Sequence, residues 1–334
     1  MEGLINIALL IFLMITAYEI VRLRSLYAVV MLSGIFGLLS ASIFVVLDAV
    51  DVAFTEASVG AGVTPMLMLA TLSLTSRDEA EHAPGRVLVP MLICIVTGAA
   101  LIYGTMDMPM WGDANAAVNQ FMAPHFINHS EAEIGLPNIV TSVLASYRGY
   151  DTMGETCVVF TAAIGVLAIL GRVKKPILKK LPKLIPQTDQ ATHSLKDHSI
   201  MRALTKLMIP FILVFSLYVQ FHGDFGPGGG FQAGVIFASA FILYALIFGI
   251  GHGRWVVPMG LLRVSLGVGV LLYAGVGVYS LFNGSNFLNY AALAHDPIHG
   301  QHLGILLVEF GVGVTVAAAM ITIFFTFIGH NPRK

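Results

Sequence analysis

The chain has 334 residues, of which 57% are hydrophobic and only 11% are charged, and its mean hydropathy is +0.83. Because soluble domains average about 25% charged residues, this composition excludes a soluble globular protein and indicates a membrane protein. The formal net charge of −1 does not favour a nucleic-acid partner, and none is expected.

Nine segments are apolar over the roughly 20 residues that a helix needs to cross a bilayer. They cover approximately residues 3–21, 26–47, 50–75, 87–105, 154–171, 204–222, 231–250, 256–282 and 303–328. We therefore predict an all-α, polytopic transmembrane protein of about nine spans. The first apolar segment has its arginines after it, the reverse of a cleavable signal peptide, and is predicted to be a span.

The basic residues predict the orientation of these spans. With the N-terminus outside, nearly all of them fall on one side: Arg22, Arg24, Arg77, Arg86, the stretch 172–206, Arg254, Arg333 and Lys334. Arg148 falls on the other side, and Arg263 lies within a span. The positive-inside rule then places the N-terminus outside and the C-terminus in the cytoplasm of a cell (inner) membrane.

Carboxylates within predicted spans are functional candidates, because charge is costly in hydrocarbon. Glu56 lies in "DVAFTEASVGAGVTP" and Glu309 lies in "GILLVEFGVGVTV". Both are surrounded by small residues, which allow a helix or water to come close. Each glutamate is expected to face protein, where it either takes part in an ion path or hydrogen-bonds a neighbouring helix.

A third acidic residue opens the fifth span, in the sequence "RGYDTMGE" (residues 148–155). If this stretch is helical, Arg148 and Asp151 face each other. Asp151 then neutralises Arg148, while Glu155, one turn further on, points into the membrane. The alternative is that Asp151 caps the helix.

A basic stretch, residues 172–202, predicts a cytoplasmic linker that lies along anionic lipid headgroups. It separates a front part of five spans from a back part of four spans. We predict modules over residues 1–85 and 86–171, the linker, and a domain over residues 203–334. Before the fifth span, Ile139, Val140, Val143 and Leu144 have the spacing of a short amphipathic surface helix.

The glycine loop, residues 222–231 ("HGDFGPGGGF"), lies between spans six and seven. It lacks the lysine and the preceding strand of a phosphate-binding loop. It is expected either to close a tight helical hairpin or to line a hydrated path as a broken-helix element, with Asp224 tuning its charge. The candidate residues in it are His222, Asp224, Pro227, Gly228, Gly229, Gly230 and Phe231.

The back part carries two further groups of candidates. Arg263 and Glu309 differ in height by roughly 10 Å, so Arg263 is expected to snorkel or to meet a partner subunit. His295, His299 and His302 are predicted to lie in a loop on the outer side. There they could bind a metal, act as a proton antenna or simply be solvated. Without a matching acid or cysteine cluster, neither a metal nor a cofactor is predicted.

These motifs resemble a known group of proteins. "DVAFTEASVGAG" resembles the small membrane subunit of membrane-bound hydrogenases and the C-terminal part of the large Mrp antiporter subunit, and "RGYDTMGE" resembles the next module of those systems. "FHGDFGPGGGFQAGVIFASAF", with "LGILLVEFGVGVTVAAAMITIFF", resembles the B subunit of Mrp-type sodium/proton antiporters. The three matches follow the family order and cover nearly the whole chain.

The resemblance implies a fused, non-enzymatic subunit of a multi-subunit antiporter that exchanges Na⁺ for H⁺. It implies other Mrp-type subunits, including large antiporter-like chains, as partners. It carries over Glu56, Glu155 and the glycine loop as positions that match family motifs. The alternatives are a non-conducting scaffold and the membrane arm of a respiratory hydrogenase-type complex. No span has a central lysine, so this chain is not expected to pump protons alone.

Overall fold

The computed structural model describes residues 2–72, 75, 78–79, 88–110, 112–171 and 199–329. Most of the predicted basic linker, residues 172–198, lies outside the described residues. Within them the protein is helical, and the β contact they contain is an isolated bridge between Ser25 and Asp78. Nine helices in the described part are long and apolar enough to cross a membrane, which confirms the predicted fold class.

The front part contains eight α-helices, of which the third and fourth form one span together. They are α1 (Glu2–Arg22), α2 (Leu26–Val46), α3 (Val50–Glu56), α4 (Thr64–Leu72), α5 (Leu88–Thr105), α6 (Ala123–Ile134), α7 (Ile139–Thr141) and α8 (Gly149–Leu170). Three π-helical turns accompany them, at Ala57–Val63, Val118–Met122 and Ser142–Tyr147.

The back part contains five α-helices and one short 3₁₀ turn. They are α9 (Ser199–His222), α10 (Gly230–Phe248), α11 (Ile250–Val256), α12 (Met259–Phe282), the 3₁₀ turn Tyr290–Leu293 and α13 (Pro297–Gly329). The largest differences from the predicted spans are at α8, α9 and α13, which begin five or six residues earlier than predicted, at Gly149, Ser199 and Pro297.

The third span changes its helical pitch immediately after Glu56. In a regular α-helix the ring of Pro65 would clash with the carbonyl group of Ala61, and the wider π-helical turn Ala57–Val63 relieves this clash. The turn packs closely on α2, since a Cβ atom added to Gly37 would lie 2.7 Å from the carbonyl carbon of Gly60.

The long helix α13 is the centre of the bundle. It packs against α12 and α10 of the back part and against α8 and α4 of the front part. In its most apolar stretch 72% of the residues are buried, whereas none is buried in α5. Residues that project from α13 therefore lie where the two parts meet.

A polar segment before α8 joins the front part to the back part. The side-chain Nδ2 of Asn138 donates to the carbonyl oxygens of Gly223 and Gly226, both at 2.9 Å. The hydroxyl of Thr141 donates to the carbonyl oxygen of Gly223 at 2.6 Å. The predicted surface helix over residues 139–147 therefore packs through its polar side. Its apolar residues Val140 and Leu144 stay partly exposed, because the glycine loop needs donors for its free carbonyl groups.

Candidate functional site

A cavity of about 560 Å³ lies where the front and back parts meet, and we call it the main cavity. Its lining is mostly apolar, with polar groups contributed by α3, α7, α8, the glycine loop, α10, α12 and α13. These polar and backbone groups are Asp51, Thr55, Thr141, Thr152, Glu155, Thr156, Gly228, Gly229, Gly230, Gln232, Tyr273 and Glu309. Predicted candidates that are distant in sequence thus share one space.

The backbone of the glycine loop packs directly against α13 at Glu309. A Cβ atom added to Gly230 would overlap the carbonyl oxygen of Glu309, so the loop can approach α13 only as glycine. A Cβ atom on Gly223 or Gly229 would lie 3.3 or 3.2 Å from the Glu309 carboxylate oxygens. The carboxylate is therefore enclosed by the loop on one side and faces the main cavity on the other.

Glu309 also lines a second space, the small cavity, of about 30 Å³. The residues around it are Gln220, Phe221, Asp224, Leu306, Glu309 and Phe310. Glu309 is therefore the carboxylate that the main cavity and the small cavity have in common.

Glu155 and Asp51 face the main cavity from the front part. Glu155 is exposed on α8. Asp51, in the first turn of α3, accepts a hydrogen bond from the backbone N–H of Gly228 at 3.3 Å. One turn further on, Gln232 donates to the Thr55 hydroxyl at 2.7 Å. Sequence reasoning missed Asp51, although it stands four residues before Thr55 in the same motif as Glu56.

Glu56 lies apart from this group. It is half-buried at the end of α3, and its carboxylate lies over Gly60 in its own helix, not among the residues that line the main cavity. The structure therefore brings Glu155 and Glu309 together but not Glu56. Glu56 and Gly60 are four residues apart and lie on the same face of the helix. The glycine has no side chain there, so the Glu56 carboxylate lies along its own helix.

Arg148 and Asp151 face each other, as predicted. Nη2 of Arg148 lies 2.5 Å from Oδ2 of Asp151, and Nε donates to the same oxygen at 2.6 Å. The Thr152 hydroxyl donates to the carbonyl oxygen of Leu144 at 2.8 Å, and the alternative of a capping role for Asp151 and Thr152 stays a prediction. Both side chains are more than half exposed, so the pair lies outside the main cavity.

Three other candidates line neither cavity. Arg263 is exposed on α12, and in the described part of the chain its guanidinium has no acidic partner, Glu309 included. The ring of His222 stacks on Tyr218, with ring centroids 4.9 Å apart. Pro227 is exposed at the tip of the glycine loop, whereas Phe231 lines the main cavity.

The prediction of an outer loop for His299 and His302 is wrong, because both lie in the first turns of α13. The sequence Asp296-Pro297 begins this helix: the Asp296 carboxylate accepts from the backbone N–H of Ile298 at 3.3 Å, and proline is favoured at the first helical position. His299 pairs with Asp296 at 3.5 Å in an exposed position.

His302 lies instead against the glycine loop. Its Nδ1 atom is 4.0 Å from Oδ2 of Asp224, and its Nε2 atom is 3.1 Å from the carbonyl oxygen of Gly135. Burial raises the pKa of the Asp224 carboxyl group above its ordinary value, and the nearby His302 partly offsets this rise. Asp224 is thus a carboxyl group that binds a proton more readily than an exposed aspartate.

The glycine loop closes a tight hairpin between α9 and α10 and also lines the main cavity. The backbone N–H of Gly229 donates to Val219 at 3.1 Å, and Gly229 has a φ of +128°, a region that side-chain-bearing residues rarely adopt. A Cβ atom on Gly228 would lie 2.6 Å from the carbonyl oxygen of Val219. The hairpin interpretation therefore describes this geometry, and the hydrated path stays a prediction.

Three family models match the chain in order. The MbhD model, which describes the D component of MBH, matches residues 11–77, and the MbhE model, which describes the E component, matches residues 86–181. The domain related to the MnhB subunit of a Na⁺/H⁺ antiporter matches residues 200–322.

Curated relatives match either the whole chain or its back part. The probable K⁺/H⁺ antiporter A/B subunit of Rhizobium meliloti (strain 1021) is 28% identical over 347 aligned positions, which cover 95% of this chain and 33% of that protein. The chain thus spans a third of that relative's length. The "Putative antiporter subunit mnhB2" of Staphylococcus haemolyticus (strain JCSC1435) is 35% identical over 133 residues, 39% of this chain and 94% of that protein.

Two solved structures have a similar fold. A chain of the Mrp complex from Dietzia sp. DQ12-45-1b superposes with a TM-score of 0.73 and 24% identity, over 98% of this chain and 35% of that chain. A chain of the membrane-bound sulfane sulfur reductase, an archaeal respiratory membrane complex, superposes with a TM-score of 0.53 and 27% identity, over 73% of this chain and 98% of that chain.

Proposed function

This chain belongs to the family of proteins related to the MnhB subunit of Na⁺/H⁺ antiporters, and we propose that it supplies part of the ion path in a multi-subunit cation/proton antiporter of the cell (inner) membrane. The observation that carries this proposal is the main cavity. There Glu155, Glu309 and Asp51 bring carboxylates from both the front and the back part into one space within the bundle.

The chemistry of the main cavity suits protons and small cations. A carboxylate in a membrane-embedded cavity can bind a proton or interact with Na⁺, and hydroxyl and carbonyl oxygens are further hard ligands for such a cation. The cavity offers the hydroxyls of Thr55 and Thr141 beside its carboxylates. We propose Na⁺ as the exchanged cation, with K⁺ as the alternative that the Rhizobium relative's name supplies.

We propose that large antiporter-like subunits complete the path. Helix α5 has no buried residue within this chain, and no span has a central lysine of its own, so both contacts and proton-pumping groups are left for partners. Affinity purification of the chain from its native membrane tests this part. Antiporter-like chains should co-purify, whereas an iron–sulfur hydrogenase chain would favour a redox-driven complex.

The ion-path role is tested by Glu309→Gln and Glu155→Gln in the complete complex. Everted membrane vesicles are energised, and the loss of the proton gradient on addition of Na⁺ is followed with a fluorescent dye. Because positioned proton-transfer groups contribute roughly 10²–10⁴-fold in rate, each change should slow exchange at least about tenfold. The matched control is Glu131→Gln, at an exposed position on α6.

Assembly must be measured in the same membranes by co-purification of the partner subunits. An assembled Glu309→Gln complex with unchanged exchange at every pH and Na⁺ concentration would refute the ion path. The chain would then be a scaffold that positions conducting subunits.

A further inference from the structure

The hydrogen bond of His302 to Gly135 determines which ring nitrogen can accept a proton. A carbonyl oxygen only accepts, so Nε2, 3.1 Å from the Gly135 oxygen, carries the hydrogen of the neutral ring. Nδ1 therefore keeps its lone pair, and it is the nitrogen that lies 4.0 Å from the Asp224 carboxylate. A proton taken up by His302 is thus held on the side that faces Asp224.

The small cavity is lined by Asp224 but not by His302, and it has the dimensions of a site for one water molecule. A buried water needs about 10–15 Å³ of accessible volume and two to four polar partners. The small cavity measures about 30 Å³ and is bounded by the polar side chains of Gln220, Asp224 and Glu309. Phe221, Leu306 and Phe310 form the remainder of its wall.

We propose that His302 and Asp224 form a proton entry that supplies Glu309 through one water molecule in the small cavity. The inference rests on the proposed function, because Glu309 is the group that this entry supplies. Asp224 is then a proton-relay residue rather than a residue that only adjusts the charge of the glycine loop.

Each transfer conserves charge. Nδ1 of His302 takes a proton from solvent and becomes imidazolium, then passes it to the Asp224 carboxylate, which leaves two neutral groups. The Asp224 acid gives its proton to the water, and the water gives one of its own protons to the Glu309 carboxylate. Asp224 ends as a carboxylate, the water is regenerated, and Glu309 becomes a neutral acid.

The charged groups around Asp224 come from α13 and are opposite in effect. His302 favours the ionised form of Asp224, and Glu309, across the small cavity, disfavours it. Helix α9 contributes the neutral Gln220 and, at its end, His222, whose ring stacks on Tyr218. The segment before α7 contributes the neutral Asn138. Burial raises the pKa of Asp224, which brings it nearer to that of a histidine and makes transfer in both directions possible.

The test measures exchange in vesicles that contain the complete complex with Asp224→Asn, His302→Gln or Gln220→Met. His302→Gln keeps an N–H donor for Gly135 but removes the basic nitrogen, and Gln220→Met removes a polar partner of the water but no charge. The matched control is His299→Gln, which changes the other histidine–aspartate pair of α13, exposed and away from the small cavity.

Asp224→Asn should slow exchange about tenfold or more, since positioned proton-transfer groups contribute roughly 10²–10⁴-fold. The defect of His302→Gln should be larger at high pH than at low pH, because protons in the surrounding solution then become scarce. Gln220→Met should slow exchange and leave the cation affinity unchanged.

If exchange by Asp224→Asn and His302→Gln equals that of His299→Gln at every pH while Glu309→Gln is inactive, the relay is wrong and the ion path stands. If Glu309→Gln is fully active, both proposals fail. Should Asp224→Asn not assemble, Gln220→Met decides: exchange equal to wild type overturns the relay, and slowed exchange with unchanged cation affinity supports it.

Discussion

Glu309 is enclosed largely by backbone, and this determines what its carboxylate can do. Gly223, Gly229 and Gly230 approach α13 so closely that no side chain can stand between the glycine loop and the glutamate. Backbone groups do not titrate, so the loop cannot neutralise the carboxylate with a cation as an arginine would. The charge of Glu309 is therefore left to protons, mobile cations and the few acids around it.

At Asp51 we expect a change in cation affinity. Asp51→Asn keeps an oxygen that accepts from the N–H of Gly228 but removes one negative charge from the main cavity. The apparent affinity for Na⁺ should fall about tenfold, which corresponds to roughly 1.4 kcal/mol, with a smaller change in the maximal rate. Dye-based exchange measured against Na⁺ concentration checks this, and a defect in maximal rate alone would contradict it.

At Asp224 we expect a pH-dependent effect on stability. Its pKa is raised in the folded protein, so its stabilising contribution is complete below the unfolded pKa and is lost as the pH rises through the folded pKa. Asp224→Asn should remove this loss, so the Tm of the variant relative to wild type should increase across that window. Thermal unfolding of the purified complex as a function of pH measures it, and a Tm difference independent of pH would contradict it.

Individual site residues could be predicted in part from the sequence. Glu155 and Glu309 stand out because a carboxylate within an apolar run is rare for energetic reasons. Asp51 does not stand out, because a charge at the start of a span is ordinary. The proximity of His302 to Asp224, 78 positions apart, depends on how α13 packs against the glycine loop, which no local pattern contains.

At the level of elements, the glycine loop and the start of α13 work together. His302 lies against Asp224 of the loop because α13 starts at Pro297 and is already helical at His302. The sequence signal for this start, aspartate followed by proline, was present, but the histidines beside it favoured the interpretation as a polar loop. The start of α13 could have been predicted from the residues Asp296 and Pro297, because helix-start signals are local. The contact between the glycine loop and α13 could not have been predicted in this way, because it joins distant parts of the sequence.

Replacing Gly229 with valine should impair exchange or assembly although no charge changes. A valine at a φ of +128° is strained, and its Cβ atom would lie 3.2 Å from Oε1 of Glu309. We expect a cost on the order of 1–3 kcal/mol from the strained backbone. The control is Gly275→Val on α12, where an added Cβ atom meets no atom within 4 Å.

Co-purification and dye-based exchange measure the two effects separately. Gly229→Val that behaves like Gly275→Val in both assays would mean that the loop is only a connector.

At the scale of the whole molecule, the number of spans and their order followed from hydropathy alone. How the front and back parts meet did not follow, since it depends on paired contacts such as Tyr273 with Gly149 and Tyr290 with Ala145. In both contacts a tyrosine hydroxyl of the back part donates to a carbonyl oxygen of the front part. Such polar pairs within an apolar bundle are specific, but each is only one residue in an otherwise ordinary apolar run.

The orientation of the molecule stays a prediction from its basic residues, and single cysteines test it. In a background without Cys94 and Cys157, a cysteine at Asn119 should react with an impermeant thiol reagent in intact cells, and one at Lys183, outside the described residues, should not. Reaction of the Lys183 site but not the Asn119 site would reverse the orientation. Permeabilised cells, in which both sites should react, provide the control.

The central position of α13 has a consequence for biosynthesis. Helix α13 contacts both parts of the bundle and follows in the sequence the helices against which it packs, so the ribosome delivers it only after they have entered the membrane. Until then α8 and α10 expose to lipid the surfaces that α13 later covers, and the glycine loop has no helix to close upon. A chain whose synthesis stops before Pro297 thus lacks the helix that packs against α4, α8, α10 and α12.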